Sequence, residues 1–277
     1  MRRYAMVLVL ALSVVGAGTA GEIKIAWWGQ SMFEIMTPKG SRIILDPQYL
    51  DAYKPRDMTA DVVLFSHFHN DHTRTECITN IKEALQFNAL KKVGGGEATD
   101  HNLVDEKVGK AKEVRIQSMG TYHDSMGGLT RGKNGCWIMD IEGVRIVHLG
   151  DLGHTLSKAQ LKKLGKVDVL MIPVGGVYTL NGIDAWKVVK QVNAVRHVIP
   201  MHYGTVVYDD LLPLKYFTDE VEEPWVIDRR KPKTWLVIDT EKEAPKTPSV
   251  VILDYQGSPA ALPVRDKGKE KEKDKDR

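Results

Sequence analysis

Apolar and polar positions change places along this chain in short bursts, each closed by residues that favour turns. Glu22 to Trp28 alternates, as does Met32 to Met36, and Pro38-Lys39-Gly40 then turns the chain into the apolar stretch Ser41 to Leu45. Period-two runs between tight turns predict strands. Val62 to Phe65 is continuously apolar, which fits a short buried strand. Further strands are predicted at Val114 to Gln117, Cys136 to Ile141, Val144 to His148, Val167 to Ile172 and His197 to Met201. Glu142-Gly143 supplies a hairpin turn between Ile141 and Val144. Thr73 to Leu90, Ser157 to Leu164 with Ser157 as N-cap, and Ile183 to Val192 read as helices. Strands interleaved with helices predict one α/β domain. Beyond residue 205, Trp235 to Ile238 and Val250 to Leu253 are strand-like, and this region is expected to close the second half of the fold and wall a substrate pocket.

Residues capable of chemistry collect where these strands end. Past Phe65 come His67, His69, Asp71 and His72, four potential metal ligands within six positions. Neutral imidazole and carboxylate are ligands that zinc and similar divalent ions take at about 2.0–2.2 Å. One loop cannot close two metal sites, so partners should follow other strands. Asp46, His123, Asp151 and His202 each lie just past an apolar run. Strand ends of one sheet system share an edge, where α/β proteins build their sites. Singly these are ordinary turn carboxylates and loop histidines; together they predict a polynuclear metal site. The remaining histidines contrast with them. His148 is expected as a hydrogen-bonded core residue, His101 and His197 as solvated, and His154 as a support behind the ligands.

The ends of the chain carry a different message. Met1-Arg2-Arg3, an apolar run from Tyr4 to about Gly18 and small residues before Gly21 predict a secretory signal peptide over residues 1–20. The run is short for a span of ~20 residues, so no stable membrane insertion is expected after cleavage. From Arg265 to Arg277 the chain alternates Lys, Glu, Asp and Arg, and residues 263–277 read as a disordered tail, leaving residues 21–262 as the folded domain. The formal charge of +3 comes from these ends, and the body is near −1, which gives no electrostatic footprint for nucleic acid. Cys77 and Cys136 could pair in an oxidising compartment or remain as two buried thiols. Gly127 to Lys133 has phosphate-loop spacing but lacks the Ser or Thr that should follow, and a strand comes after it.

With these residues in place, the sequence resembles the metallo-β-lactamase superfamily over nearly all of residues 22–205. The resemblance rests on His67-Phe68-His69-Asn70-Asp71-His72, followed in order by His123, Asp151 and His202 and preceded by Asp46. Leu149-Gly150-Asp151 and Pro200-Met201-His202-Tyr203 are similar to the small metal-dependent hydrolase branch that includes ascorbate-phosphate lactonase-like and N-acyl-phosphatidylethanolamine phospholipase-like proteins. Gln30 departs from the pattern, since relatives often carry histidine there. The resemblance implies a four-layer αββα sandwich with two metals at one edge. His67, His69 and His123 would hold the first metal, and Asp71, His72 and His202 the second. Asp151 would bridge both, with Asp71 and Asp151 as the catalytic carboxylates and Asp46 orienting a ligand histidine.

The function so implied is an exported, periplasmic or secreted, binuclear hydrolase. Hydroxide bound by two divalent ions, zinc first and manganese or iron next, would attack an ester, lactone, amide or phosphodiester in a small-molecule or lipid-like substrate. Two other readings stay open: a non-catalytic exported metal-binding module, and a di-iron oxidoreductase on the same fold. Di-iron relatives generally carry a carboxylate where His69 stands and are fused to a flavin domain, for which no residues remain here.

Overall fold

The early alternation folds as β1 (Glu22–Trp27) and β2 (Phe33–Met36), joined antiparallel through a turn at Gly29 and followed by β3 (Arg42–Leu45) and β4 (Val62–Phe65). The computed structural model describes residues 21–94, 98–193, 195–229 and 234–256. The expected signal peptide and charged tail lie outside these residues. Next along the chain come β5 (Leu85–Asn88), β6 (Leu90–Lys92), β7 (Thr99–His101), β8 (Asp105–Val108), β9 (Val114–Tyr122), β10 (Lys133–Ile141) and β11 (Val144–His148). The remainder is α1 (Lys158–Leu164), β12 (Val169–Pro173), α2 (Gly182–Gln191), β13 (His197–Met201), α3 (Lys215–Thr218), β14 (Val226–Asp228), β15 (Leu236–Asp239) and β16 (Ser249–Val251).

Two mixed sheets result, in the orders β15-β1-β2-β3-β4-β5 and β14-β16-β13-β12-β11-β10-β9-β8. Their apolar faces share one large core that includes Ile25, Phe33, Ile43 and Leu64 from the first sheet and Ile116, Trp137, Ile146 and Ile199 from the second. The helices α1 and α2 are the crossovers between parallel neighbours β11, β12 and β13. Right-handed crossovers place both on one face of the second sheet. Ser157 caps α1 with a reciprocal capping box through Gln160, worth about 1 kcal/mol. The expected α/β sandwich of two packed sheets is the architecture found, with its helical layer on the second sheet.

One predicted helix is absent. Thr73 to Leu90 folds instead as turns leading into β5, which pairs parallel with β4. Asn80 explains the failure, because its side-chain amide accepts from Ala60 N at 2.9 Å and donates to Ala60 O at 2.8 Å. The backbone groups of Cys77 and Thr79 are likewise spent on Met58. Asn and Thr side chains that bond to backbone in this way compete with a helix. Cys77, Ile78 and Ala84 still bury their apolar surface against Trp28, Ile44, Val63 and Phe65, so turns form the outer layer of the first sheet. Cys77 and Cys136 are both buried and unpaired. Residues beyond 205 complete both sheets rather than one, since β15 joins β1 while β14 and β16 extend the second sheet.

Strand direction determines where the chemistry falls. β9 is antiparallel to β10, and β10 to β11, so β9 runs with β11, β12 and β13. Their C-terminal ends, carrying His123, Asp151 and His202, therefore lie on one edge. β3 and β4 are likewise parallel and end at Asp46 and Ser66.

Candidate metal centre

Ligand atoms of His67, His69 and His123 lie within 4.8 Å of one another, as do those of Asp71, His72 and His202. These are the two triads expected from the sequence. Asp151 stands between them: its Oδ2 is 3.1 Å from His123 Nε2 and 3.3 Å from the Nε2 atoms of both His72 and His202. All of these residues are buried except His69, which is exposed, and Asp71, which is half-buried.

The local backbone is shaped to this end. Asp46 and His202 sit in the left-handed region at φ 43° and 51°, and Gln30 beside them at φ 48°. Such conformations cost about 1–3 kcal/mol each and persist where the surroundings enforce them. Here Asp46 N donates to Leu64 O at 2.9 Å and His202 N to Gln30 O at 3.0 Å. Gly175 and Gly153 let neighbouring loops press on the ligands, since a Cβ on either would overlap the backbone of His202 or His123.

Hydrogen bonds fix which nitrogen each ring turns inward. Asp46 is the hub: it accepts from Ser66 N at 2.7 Å, from Ser66 Oγ at 2.6 Å and from His72 Nδ1 at 2.9 Å. Because the Ser66 hydroxyl proton goes to Asp46, Ser66 Oγ accepts from His67 Nδ1 at 2.9 Å. His123 Nδ1 donates to the carbonyl of Tyr178 at 3.1 Å. His67, His72 and His123 therefore all present an Nε2 lone pair to the centre. His67 Nε2 meets His69 Nδ1 at 3.0 Å, while the Nε2 atoms of His72 and His123 face the Asp151 carboxylate. Lone pairs and a carboxylate converging in a buried space require positive charge among them, and His72 Nε2 has no hydrogen-bond partner of its own. The donor set, imidazole nitrogens with two carboxylates, suits divalent zinc, manganese or iron.

The electrostatics agree. Burial drives His67 far below its ordinary pKa, reinforced by the His72 charge, and burial with the His123 charge lowers His69. Both offer neutral rings. Burial would raise the carboxyl of Asp151, yet His202, His72 and His123 hold it well below the usual range, and His72 and His202 do the same for Asp71. His72 differs: burial would lower it, but Asp151, Asp71 and Asp46 favour its protonated form. A cation and a proton thus compete for its Nε2.

Residues 24–202 match the model of the Beta-lactamase superfamily domain. The chain belongs to this superfamily. A UPF0173 metal-dependent hydrolase of Pyrococcus furiosus is 31% identical to this superfamily member, covering 66% of this chain and 85% of its own. A second UPF0173 metal-dependent hydrolase, from Thermococcus onnurineus, is 29% identical with the same coverage, 66% and 85%. Among solved structures, a Thermotoga maritima protein described as a Zn-dependent hydrolase of the metallo-β-lactamase superfamily superimposes with a TM-score of 0.58. It is 30% identical, over 84% of this chain and 100% of its own.

Four supporting residues were not singled out from the sequence. Ser66 links Asp46 to His67, and Ser31 Oγ donates to Asp151 Oδ1 at 3.1 Å. Asn134 Oδ1 accepts from Asp151 N at 2.9 Å, and Tyr178 contributes only its carbonyl to His123. Ser31, Ser66 and Asn134 are common residue types that no metal-binding spacing marks out, and a backbone carbonyl leaves no trace in side-chain identity. His154 is a support, since its Nε2 accepts from Tyr122 N at 3.1 Å just before His123. His148 is the core residue expected, bonded to Ser31 O at 2.9 Å. His101 and His197 are half-buried and hydrogen-bonded rather than simply solvated as expected. His101 bonds Thr121 O at 2.8 Å against the bare face of Gly120, and His197 bonds Ser249 Oγ at 2.8 Å.

Proposed function

We propose that this metal-dependent hydrolase works with two divalent cations, zinc first, and cleaves an ester, lactone, amide or phosphodiester in a small molecule or lipid-like substrate. The observation that carries the reading is Asp151, whose single oxygen Oδ2 lies 3.1–3.3 Å from histidines of both triads. His67, His69 and His123 would hold one cation, and Asp71, His72 and His202 the other, with Asp151 shared. When bound, such a pair lowers the pKa of water and draws electron density from the scissile group. The chain does the rest. Asp71 and Asp151 offset charge that neutral rings cannot, Asp46 and Ser66 lock the rings of His72 and His67, and Ser31 holds the outer oxygen of Asp151. Tyr203 stacks on Trp27 at 5.0 Å in the core, which supports a packing role.

We further propose export to the periplasm or medium after loss of residues 1–20, with neither nucleic acid nor a membrane as partner. The test of the centre is elemental mass spectrometry on protein purified without residues 1–20 and without chelators, followed by hydrolysis assays. About two metal ions per chain are expected, as a two-metal site requires. A chain that stays metal-free after reconstitution with zinc, manganese and iron would overturn the reading. Cell fractionation that leaves the full-length chain in the cytoplasm at unchanged mass would overturn export.

A further inference from the structure

The exposed side of the centre opens into a cavity of about 390 Å³, with His67 and His69 on one wall. Phe68, between them, lies under Lys92, whose Nζ is 5.7 Å from the ring centroid. Arg131 and Lys133 also line it. The lining thus carries three cations and, among the described residues, no carboxylate. Lys133 is neutralised by Asp100 at 2.9 Å. The Lys92 ammonium and the Arg131 guanidinium pair with no carboxylate among the described residues.

Arg131 is held in place without one. The Asp124 carboxylate accepts from the amides of Met126, Gly128, Thr130 and Arg131 at 2.8–3.0 Å, folding the loop after His123 into a fixed shape. The guanidinium stacks over Tyr178 at 4.6 Å and gives one N–H to Val177 O at 3.3 Å. A guanidinium fixed by stacking keeps its remaining N–H groups for a ligand and loses little freedom on binding one. A concave site lined by one sign of charge concentrates the opposite charge. Its volume is that of a small-molecule site.

We propose that the substrate carries an anionic group, carboxylate or phosphate, which Arg131 and Lys92 bind while the scissile group lies at the histidines. This rests on the hydrolase reading and names the substrate class for it. Arg131 and Lys92 are then specificity residues, acting on the part of the substrate that does not react.

The test uses zinc-loaded protein with 4-nitrophenyl hydrogen glutarate and its neutral methyl ester. Wild type should favour the anionic ester, and Arg131→Gln should lower the ratio of the two kcat/KM values about tenfold, through KM. Lys92→Gln should lower it less, and Lys187→Gln, remote on α2, should leave it unchanged. Both esters cleaved with a ratio that Arg131→Gln does not move would overturn the proposal while the hydrolase reading stands. If neither ester turns over, calorimetric titration with glutarate and glutaramide decides. Bound metals would attract glutarate alike in wild type and variant, so selective loss of glutarate affinity in Arg131→Gln supports the pocket, and its absence overturns it. Inorganic phosphate as competitor separates the two anions.

Discussion

The two halves of the metal centre are built from similar ligands but differ in how they are held. The half formed by Asp71, His72 and His202 is enclosed, ringed by carboxylates and locked to the strand ends through Asp46. The half formed by His67, His69 and His123 contains only imidazoles, and its outer member, His69, is exposed at the mouth of a cationic cavity. On the proposed reading, rigidity and negative charge are concentrated where a cation would be held most firmly. Openness and positive charge are concentrated where a substrate would arrive. Asp151 joins the two, and so belongs to neither.

Substitutions should separate these roles. Asp151→Ala removes the shared oxygen and should abolish hydrolysis with loss of metal from both halves, while circular dichroism shows the fold retained. Full activity in the purified variant would refute the shared role. His69→Ala should also abolish hydrolysis but leave about one metal per chain, since the enclosed half keeps its ligands. Retention of both metals would erase the distinction between halves. Asp46→Asn, which weakens the anchor of His72 and Ser66, should reduce metal affinity about 10–100-fold in chelator competition. Gly175→Ala, which forces a methyl against the His202 backbone, should destabilise by about 1–3 kcal/mol in thermal unfolding. The smallest effect concerns the thiols. Burial raises Cys77 to about 11 and Cys136 to about 12, so both stay protonated at neutral pH. Ellman's reagent should modify neither in the native protein and both after denaturation.

The residues that converge could be read from the sequence because they obey a strong rule: each follows an apolar strand on a shared edge. Asp46, His123, Asp151 and His202 were all legible on that ground, although they are spread along the chain from position 46 to position 202. The hairpin at Glu142-Gly143 was equally plain, and both residues adopt the positive φ that such a turn requires. Thr73 to Leu90 misled because its apolar spacing suits a helix while Asn80 and Thr79 bond to a distant loop, a preference that spacing does not encode. His101 and His197 were misread for a related reason. Polar neighbours suggested solvent, yet each ring found a partner on another strand. The support shell of Ser31, Ser66 and Asn134 consists of common residues whose meaning appears only when the strands are side by side.

The pairing of β1 with β15 has a consequence for how the molecule comes together. Glu22 lies opposite Asp239, and Ile25 opposite Leu236, so the outer flank of the first strand is covered by nearly the last segment of the domain. During synthesis that flank stays open until almost the whole domain is available. Contacts spanning such a sequence distance slow folding, because a long loop must close before they form. A chain cut short of Leu236 would expose the β1 backbone edge as a template for strand addition by other copies. Removal of β15 should therefore be read first as aggregation, with the loss of activity following from it.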